Sequence, residues 1–328
     1  MKKIVTMYAA MIVVINFLLS SCGKSETFTV PQMPGTTDTS VNKPAITGRL
    51  VYHSYTCYSC NDSKIYLYDF ATNTNKLLSN NWNIDNPMNA HFSPDGKKIV
   101  FMGFQKGTDN WDVFLWTIDD VAEPTNLTAA LGNSRDEDPK FSNAGNRIIF
   151  KHSGHVSEMD LDGNITRNIT SGSEEESMPY YNYNDSLVLY AKGGGAASDI
   201  FVTDSTTSKP MAAQASLQEY YPIAKDSVSF FYSRWNSATN ENDQVYLGYY
   251  NTATAPKRLP FNTADANYSD AYPCGDEYVI LSSTKDGGKG SYDLYIANIA
   301  TGKIWSMSLY NAAINSSKNE LGAAFIGK

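Results

Sequence analysis

The residues of this 328-residue chain that could do chemistry are four histidines, a close cysteine pair and a recurring set of carboxylates. His53, His91, His152 and His155 are its full histidine complement. Brought together, His53, His91 and His152 would offer imidazole nitrogens to a divalent metal; kept apart, they would be ordinary surface groups. Cys57-Tyr58-Ser59-Cys60 is followed by Asn61 rather than His, which excludes haem attachment, and two cysteines cannot close a zinc site. In an oxidising compartment this spacing implies a local disulfide between Cys57 and Cys60. Acidic and amide residues gather at Asp85-Asn86, Asp136-Glu137-Asp138, Glu175-Glu176, Gln218-Glu219, Asp270 and Asn319-Glu320. Carboxylates sharing one place raise one another's pKa unless a cation intervenes, so a ring of them would take Ca²⁺ or a basic partner segment. Singly, each would cap a turn. Trp82, among asparagines, and Arg234-Trp235 could stack on a sugar or anchor a peptide; the other reading is packing between elements.

The elements that must position these groups repeat along the chain. Phe92 to Phe101, Phe141 to Phe150, Tyr181 to Tyr190, Ile223 to Tyr232 and Tyr272 to Leu281 are apolar anchors at one spacing. Between them lie turn-prone stretches such as Ser93-Pro94-Asp95-Gly96, Ser142-Asn143-Ala144-Gly145 and Asn182-Tyr183-Asn184-Asp185. Strand, tight turn, strand is a hairpin. A third strand follows each hairpin, as in Asp112-Val113-Phe114-Leu115-Trp116 and Asp199-Ile200-Phe201-Val202. The unit recurs about every 40 to 53 residues, the period of a propeller blade. A single such sheet cannot bury both faces, so the units must stack around an axis.

Pro94-Asp95-Gly96, with Ile99-Val100-Phe101 after it and Asp-Ile-Tyr-like third strands, resembles the TolB-type propeller repeat, over roughly residues 46 to 328. The resemblance implies six blades. Counting agrees: the first unit, from Arg49-Leu50-Val51-Tyr52, lacks an inner strand, and Asn319 to Phe325 reads as an inner strand with nothing after it. The expected fold is therefore all-β, a six-bladed β-propeller closed by pairing of N- and C-terminal strands, which removes the free edges. Antiparallel order sets the acidic clusters at one end of the central channel. The ligand-binding set expected there is Trp82, Glu137, Glu176, Glu219, Arg234, Trp235 and Asp270. His53, His91 and His152 could converge at the same mouth, faintly similar to the metal-holding histidines of propeller oligogalacturonate lyases. Cys274 falls at the opposite end and should stay unpaired.

Lys2 and Lys3, an apolar run from Ile4 to about Leu19, and Leu19-Ser20-Ser21-Cys22 read as a signal peptide over 1–21. Leu19 to Cys22 matches a bacterial lipobox, which implies lipidation of Cys22. The run is shorter than the roughly 20 residues that span a bilayer. Residues 22–45 read as the lipidated Cys and a flexible Thr/Ser/Pro/Gly linker, ahead of the propeller at 46–328. Gly23 favours the outer membrane over inner-membrane retention, with the propeller facing either the periplasm or the surface. A formal net charge of −8, more negative once Lys2 and Lys3 are removed, argues against nucleic acid. There is no Gly-X-Ser-X-Gly elbow, and Gly193-Gly194-Gly195 precedes no helix that could cradle a phosphate. The sequence thus describes a monomeric, outer-membrane-tethered binding module for an envelope protein or glycan, without chemistry or cofactor of its own. The alternative is a metal-dependent lyase-like or other glycan-active enzyme, with Ca²⁺ or another divalent cation at the channel mouth.

Overall fold

The computed structural model describes residues 42–327. The signal segment, Cys22 and most of the linker lie outside the described residues. Within them are 24 strands in six four-stranded antiparallel sheets, joined by turns and short 3-10 segments, with no α-helix among the described residues. Five sheets are contiguous in sequence, and their inner strands are Ile84–Phe92, Asp136–Phe141, Glu176–Tyr181, Glu219–Ala224 and Tyr268–Cys274. The sixth is composite: Asn319–Gly327 forms the inner strand of the sheet that continues with Gly48–Tyr55, Lys64–Asp69 and Thr74–Leu77. We number that sheet blade 1 and the others blades 2 to 6 in chain order.

Closure rests on backbone ladder and side chains together. Arg49 pairs with Ile326, Leu50 with Phe325 and Ser54 with Glu320. The Ser54 hydroxyl donates to Glu320 Oε1 at 2.9 Å in a buried setting, and Glu320 also accepts from the Ser316 backbone and hydroxyl. Both strand edges that an open array would expose are thereby used.

The hairpin anchors become blade cores. Phe101, Phe114, Phe150, Phe230, Phe231, Ile280 and Leu281 are almost wholly removed from solvent, stacked between neighbouring sheets. The turns below them need a left-handed residue, which the sequence supplies as Gly96 (φ 67°), Gly145 (φ 74°) and Asp185 (φ 60°). In the first of these, Gly96 N–H donates to Ser93 O at 2.8 Å, and the Ser93 hydroxyl donates to Asp95 Oδ1 at 2.6 Å. Turns of adjacent blades are also tied: Asn143 and Ala144 backbone N–H groups donate to the Asp185 carboxylate at 2.8 and 3.0 Å.

Every inner strand breaks register near its start. The irregularities fall between Glu137 and Lys140, Ser177 and Tyr180, Tyr220 and Ile223, and Ser269 and Tyr272, with equivalents in blades 1 and 2. At each sits a residue in the left-handed region: Asn89, Asp138, Met178, Tyr221, Asp270 and Gly322, with φ from 49° to 61°, and blade 2 carries a second break with Asn86 at φ 52°. A bulge turns a side chain out of the alternating pattern, so these six are re-aimed together toward the axis. Ala or Pro follows in each case (Ala90, Pro139, Pro179, Pro222, Ala271, Ala323); a proline has no N–H to leave unpaired at a bulge.

Removing residues 319–328 should abolish the cooperative high-temperature transition and expose two strand edges, seen as a large fall in melting temperature and onset of aggregation. An unchanged calorimetric melt would show that the terminal pairing contributes nothing to closure.

Candidate functional site

The bulged inner strands build the central channel in tiers. One position before the left-handed residue lie Met88, Glu137, Ser177, Tyr220, Ser269 and Leu321, and all six face a cavity of about 380 Å³ at the end where inner strands begin. The left-handed residues form its floor. Two positions further on, His91, Lys140, Tyr180, Ile223, Tyr272 and Ala324 narrow the channel, where only about 40 Å³ of space remains. His91 Nε2 lies 3.3 Å from both the Tyr180 and Tyr272 hydroxyls, which are 3.2 Å from each other. This polar knot separates the mouth from a smaller cavity of about 180 Å³ at the far end. The mouth is a cup with a closed base.

Its wall carries charge and phenols. Arg135 pairs with Glu137, and Lys151 pairs with Glu137 at 2.9 Å and Glu175 at 2.5 Å. Asp138 accepts from Asn89 Nδ2 at 2.7 Å. Asp243, from the third strand of blade 5, and Asp270 complete the acids. Burial drives the carboxyls of both Asp243 and Asp270 up to about 6, and for Asp270 the neighbouring Asp243 and Asp138 add to it. Lys140, beneath them, is pushed below its ordinary value by burial, against the pull of Asp138 and Asp270. Tyr55, Tyr58, Tyr220, Tyr221 and Tyr292 stand among these groups. Tyr58 is carried on the turn that the Cys57–Cys60 disulfide staples, and it remains 55 % exposed. Cys274 is free and buried at the far end of its inner strand.

Of the ligand-binding set drawn from sequence, Glu137 and Asp270 reach the cup. Glu176 and Glu219 do not; they stand one position earlier in the bulge and turn away from the axis. Glu176 accepts from the Gly172 backbone at 3.2 Å and from His155 Nδ1 at 3.0 Å. Glu219, 0 % exposed, accepts from the Gln214 backbone at 3.3 Å and faces Arg234 at 3.4 Å. Burial raises its carboxyl to about 7 despite that guanidinium. Arg234 lies 3.7 Å over the Tyr246 ring, inside blade 5. Trp82 stacks on Phe101 and meets Trp116 edge-on, each at 5.0 Å, so it is blade packing. Trp235 extends the outer hairpin of blade 5, half-buried and outside the cup wall. Glu176 and Glu219 are thus held by turn capping, and Arg234 and Trp82 by packing within their blades.

The histidines do not converge. His53 faces the cup, with Nδ1 accepting from the Asn89 backbone at 3.3 Å, and burial lowers its pKa to about 3. His91 lies deeper, its Nδ1 taken by the Phe141 N–H at 3.2 Å and its pKa likewise lowered by burial to about 3. His152 is held by Asp136 at 2.7 Å, away from both. Among the described residues no group of three or more His, Cys, Asp or Glu side chains is arranged to hold a metal ion.

Sequence reasoning missed the tyrosines, Asp243 and Lys151. The one signal it could have used is the Ala or Pro that follows each left-handed residue, one or two positions before the apolar anchor.

No protein-family model and no curated protein matches the sequence. Solved structures do. TolB from Acinetobacter baumannii is similar with a TM-score of 0.60 at 17 % identity, over 87 % of this chain and 68 % of that one. The putative TolB from Agrobacterium tumefaciens gives 0.59 at 10 % identity, over 86 % of this chain and 100 % of that one. Hydrazine synthase from Kuenenia stuttgartiensis gives 0.66 at 14 %, over 86 % of this chain and 47 % of that one. At these identities the likeness is one of fold: a TolB-like six-bladed propeller.

Two stability measurements separate packing from site. Trp82→Ala should cost about 2–3 kcal/mol by removing a ring stacked between core aromatics. Asp270→Asn should do the reverse. The folded state raises this carboxyl from 3.8 to about 6, so the acid's contribution is favourable below its unfolded pKa and is lost as pH rises through 6. At pH 8 the ionised, buried acid costs on the order of 3 kcal/mol, which Asn relieves. The variant should therefore melt several degrees higher at pH 8, with the gain vanishing near pH 4. A loss of stability at pH 8 would mean that Asp270 has an ionic partner.

Proposed function

We propose that this protein is a non-catalytic capture module of the bacterial cell envelope, held at the outer membrane by a lipid on Cys22. The propeller mouth receives an extended segment of an envelope protein. The observation that supports this most directly is the cup: a cavity of about 380 Å³, open at one end of the channel and closed below by the His91–Tyr180–Tyr272 knot. A blind cup of this size suits a few side chains of an inserted segment.

The wall favours a protein over a glycan. A glycan reading leaned on Trp82 as a stacking platform, and that ring is occupied by Phe101 and Trp116. The lyase reading leaned on three histidines at the mouth, and His152 is engaged with Asp136. What remains at the mouth is carboxylate, amide and phenol, with Arg135 and Lys151 held in ion pairs, a mixture suited to peptide recognition. The similarity to TolB structures agrees with this reading through fold alone. No helix among the described residues is long and apolar enough to cross a membrane.

A photoreactive phenylalanine analogue at position 58, on the lip of the cup, should crosslink an envelope protein in intact cells. Filling the cup by Ser177→Trp or Leu321→Trp, with melting curves to confirm folding, should remove that adduct. The same analogue at position 183, in the turn at the opposite end, should give none. Adducts that survive cup filling, or that form only from position 183, would overturn the assignment of the mouth.

A further inference from the structure

Asp243 and Asp270 differ from every other acid of the cup. Glu137 and Glu175 are neutralised by Arg135 and Lys151, and Asp138 is bonded by Asn89. Asp243 and Asp270 have no ion-pair partner among the described residues, yet they are only 7 % and 9 % exposed. In each, the Oδ1 oxygen has no hydrogen-bond donor at all. Leaving a buried acceptor unmade is unfavourable, and leaving a buried charge uncompensated more so. The two residues stand on adjacent blades and line one cavity; besides Tyr220 at Asp243 and the Gly322 N–H at Asp270, no donor among the described residues reaches their carboxylates, which suits a cation with several donors.

The surroundings restrict which cation. Tyr220, Tyr221 and Tyr292 supply phenol rings, whose faces attract a desolvated positive charge. The histidines offer no metal set, and the two orphaned oxygens belong to different residues. A guanidinium presents a planar fork suited to both oxygens of one carboxylate, whereas an ammonium carries three rotatable donors on a point charge. Lys140, below the floor, opposes a cation, but its single charge faces both Asp138 and Asp270.

Resting on the channel-mouth reading above, we infer that the cup binds a primary ammonium group, seated between the carboxylates of Asp243 and Asp270. In an inserted protein segment the group is a lysine side chain; a free alkyl diamine carries the same chemistry. Binding needs both acids ionised. The groups facing them are Tyr220 beside Asp243, and Asp138, Lys140 and the Gly322 N–H beside Asp270. Affinity should therefore fall as pH drops below about 6.

The test is calorimetric or NMR titration of the purified protein with N-acetyl-lysine methylamide, its uncharged norleucine counterpart, cadaverine and Ca²⁺. The lysine derivative should bind at pH 7.5 and weaken about a hundredfold at pH 5, where two carboxyls each titrating near 6 are both ionised in roughly one molecule in a hundred. The norleucine derivative should not bind. Asp243→Asn and Asp270→Asn should each weaken lysine binding at least tenfold while remaining folded by thermal melt. Tighter binding of the lysine amide than of cadaverine identifies a protein-borne group; the converse identifies a free amine. Equal binding of the norleucine derivative, indifference to both Asn variants, or Ca²⁺ binding without ammonium binding overturns the inference. If cup-sensitive crosslinks from position 58 persist while no ammonium binds, this inference alone fails. If those crosslinks are also absent, the channel-mouth reading fails with it.

Discussion

A four-stranded sheet has two faces to bury and two edges to satisfy, and that constraint governs the rest of this molecule. Stacking six sheets buries the faces. Strands such as Ile148–His152 and Val188–Lys192 accordingly read as continuous apolar runs instead of alternating ones. The edges are harder, because an array of units leaves one inner strand missing at the start and one unpaired strand at the finish. Pairing Asn319–Gly327 with Gly48–Tyr55 settles both at once. It also places the C-terminal strand on the channel, so the closure device contributes Leu321, Gly322 and Ala324 to the site.

A ring of six inner strands brings six strand starts to one point, and the bulges decide what faces it. Left-handed backbone at residues as large as Met178 and Tyr221 is unfavourable by about 1–3 kcal/mol each. In blade 1 the equivalent residue is Gly322, where a Cβ would come within 2.5 Å of the His53 ring. Left-handed backbone repeated around the axis and donorless oxygens on Asp243 and Asp270 both work against stability at this end of the channel. The acids that serve stability are treated differently. Asp136, Glu176, Glu219 and Glu320 all sit two positions before the left-handed residue, and each is engaged by local hydrogen-bond donors.

That difference explains how far the sequence could be read. The blades were legible because their signals are local: an apolar anchor, a turn with Gly or Asp at the left-handed position, and a second anchor at fixed spacing. The site was half legible. Asp136-Glu137-Asp138 are three consecutive acids with three fates: one grips His152, one joins the ion pairs of the rim, and one forms the cup floor. Alternation in a regular strand would send Asp136 and Asp138 to the same face; the bulge undoes that. Trp82 was visible as an aromatic in a polar loop, but its burial against Phe101 depends on a hairpin nineteen residues downstream in sequence. Asp243 arrives from a third strand, outside the inner-strand pattern altogether.

Closure below the cup matters as much as its wall. His91 gives its Nδ1 lone pair to a backbone N–H, which leaves Nε2 as the protonated nitrogen facing Tyr180 and Tyr272. Burial holds its pKa near 3, so the ring stays neutral at any pH well above that. The knot is thus a fixed floor, insensitive to the protonation that alters the cup above it. Changes of protonation at Asp243 and Asp270 therefore occur above a base whose histidine stays neutral. A channel built this way works from one end.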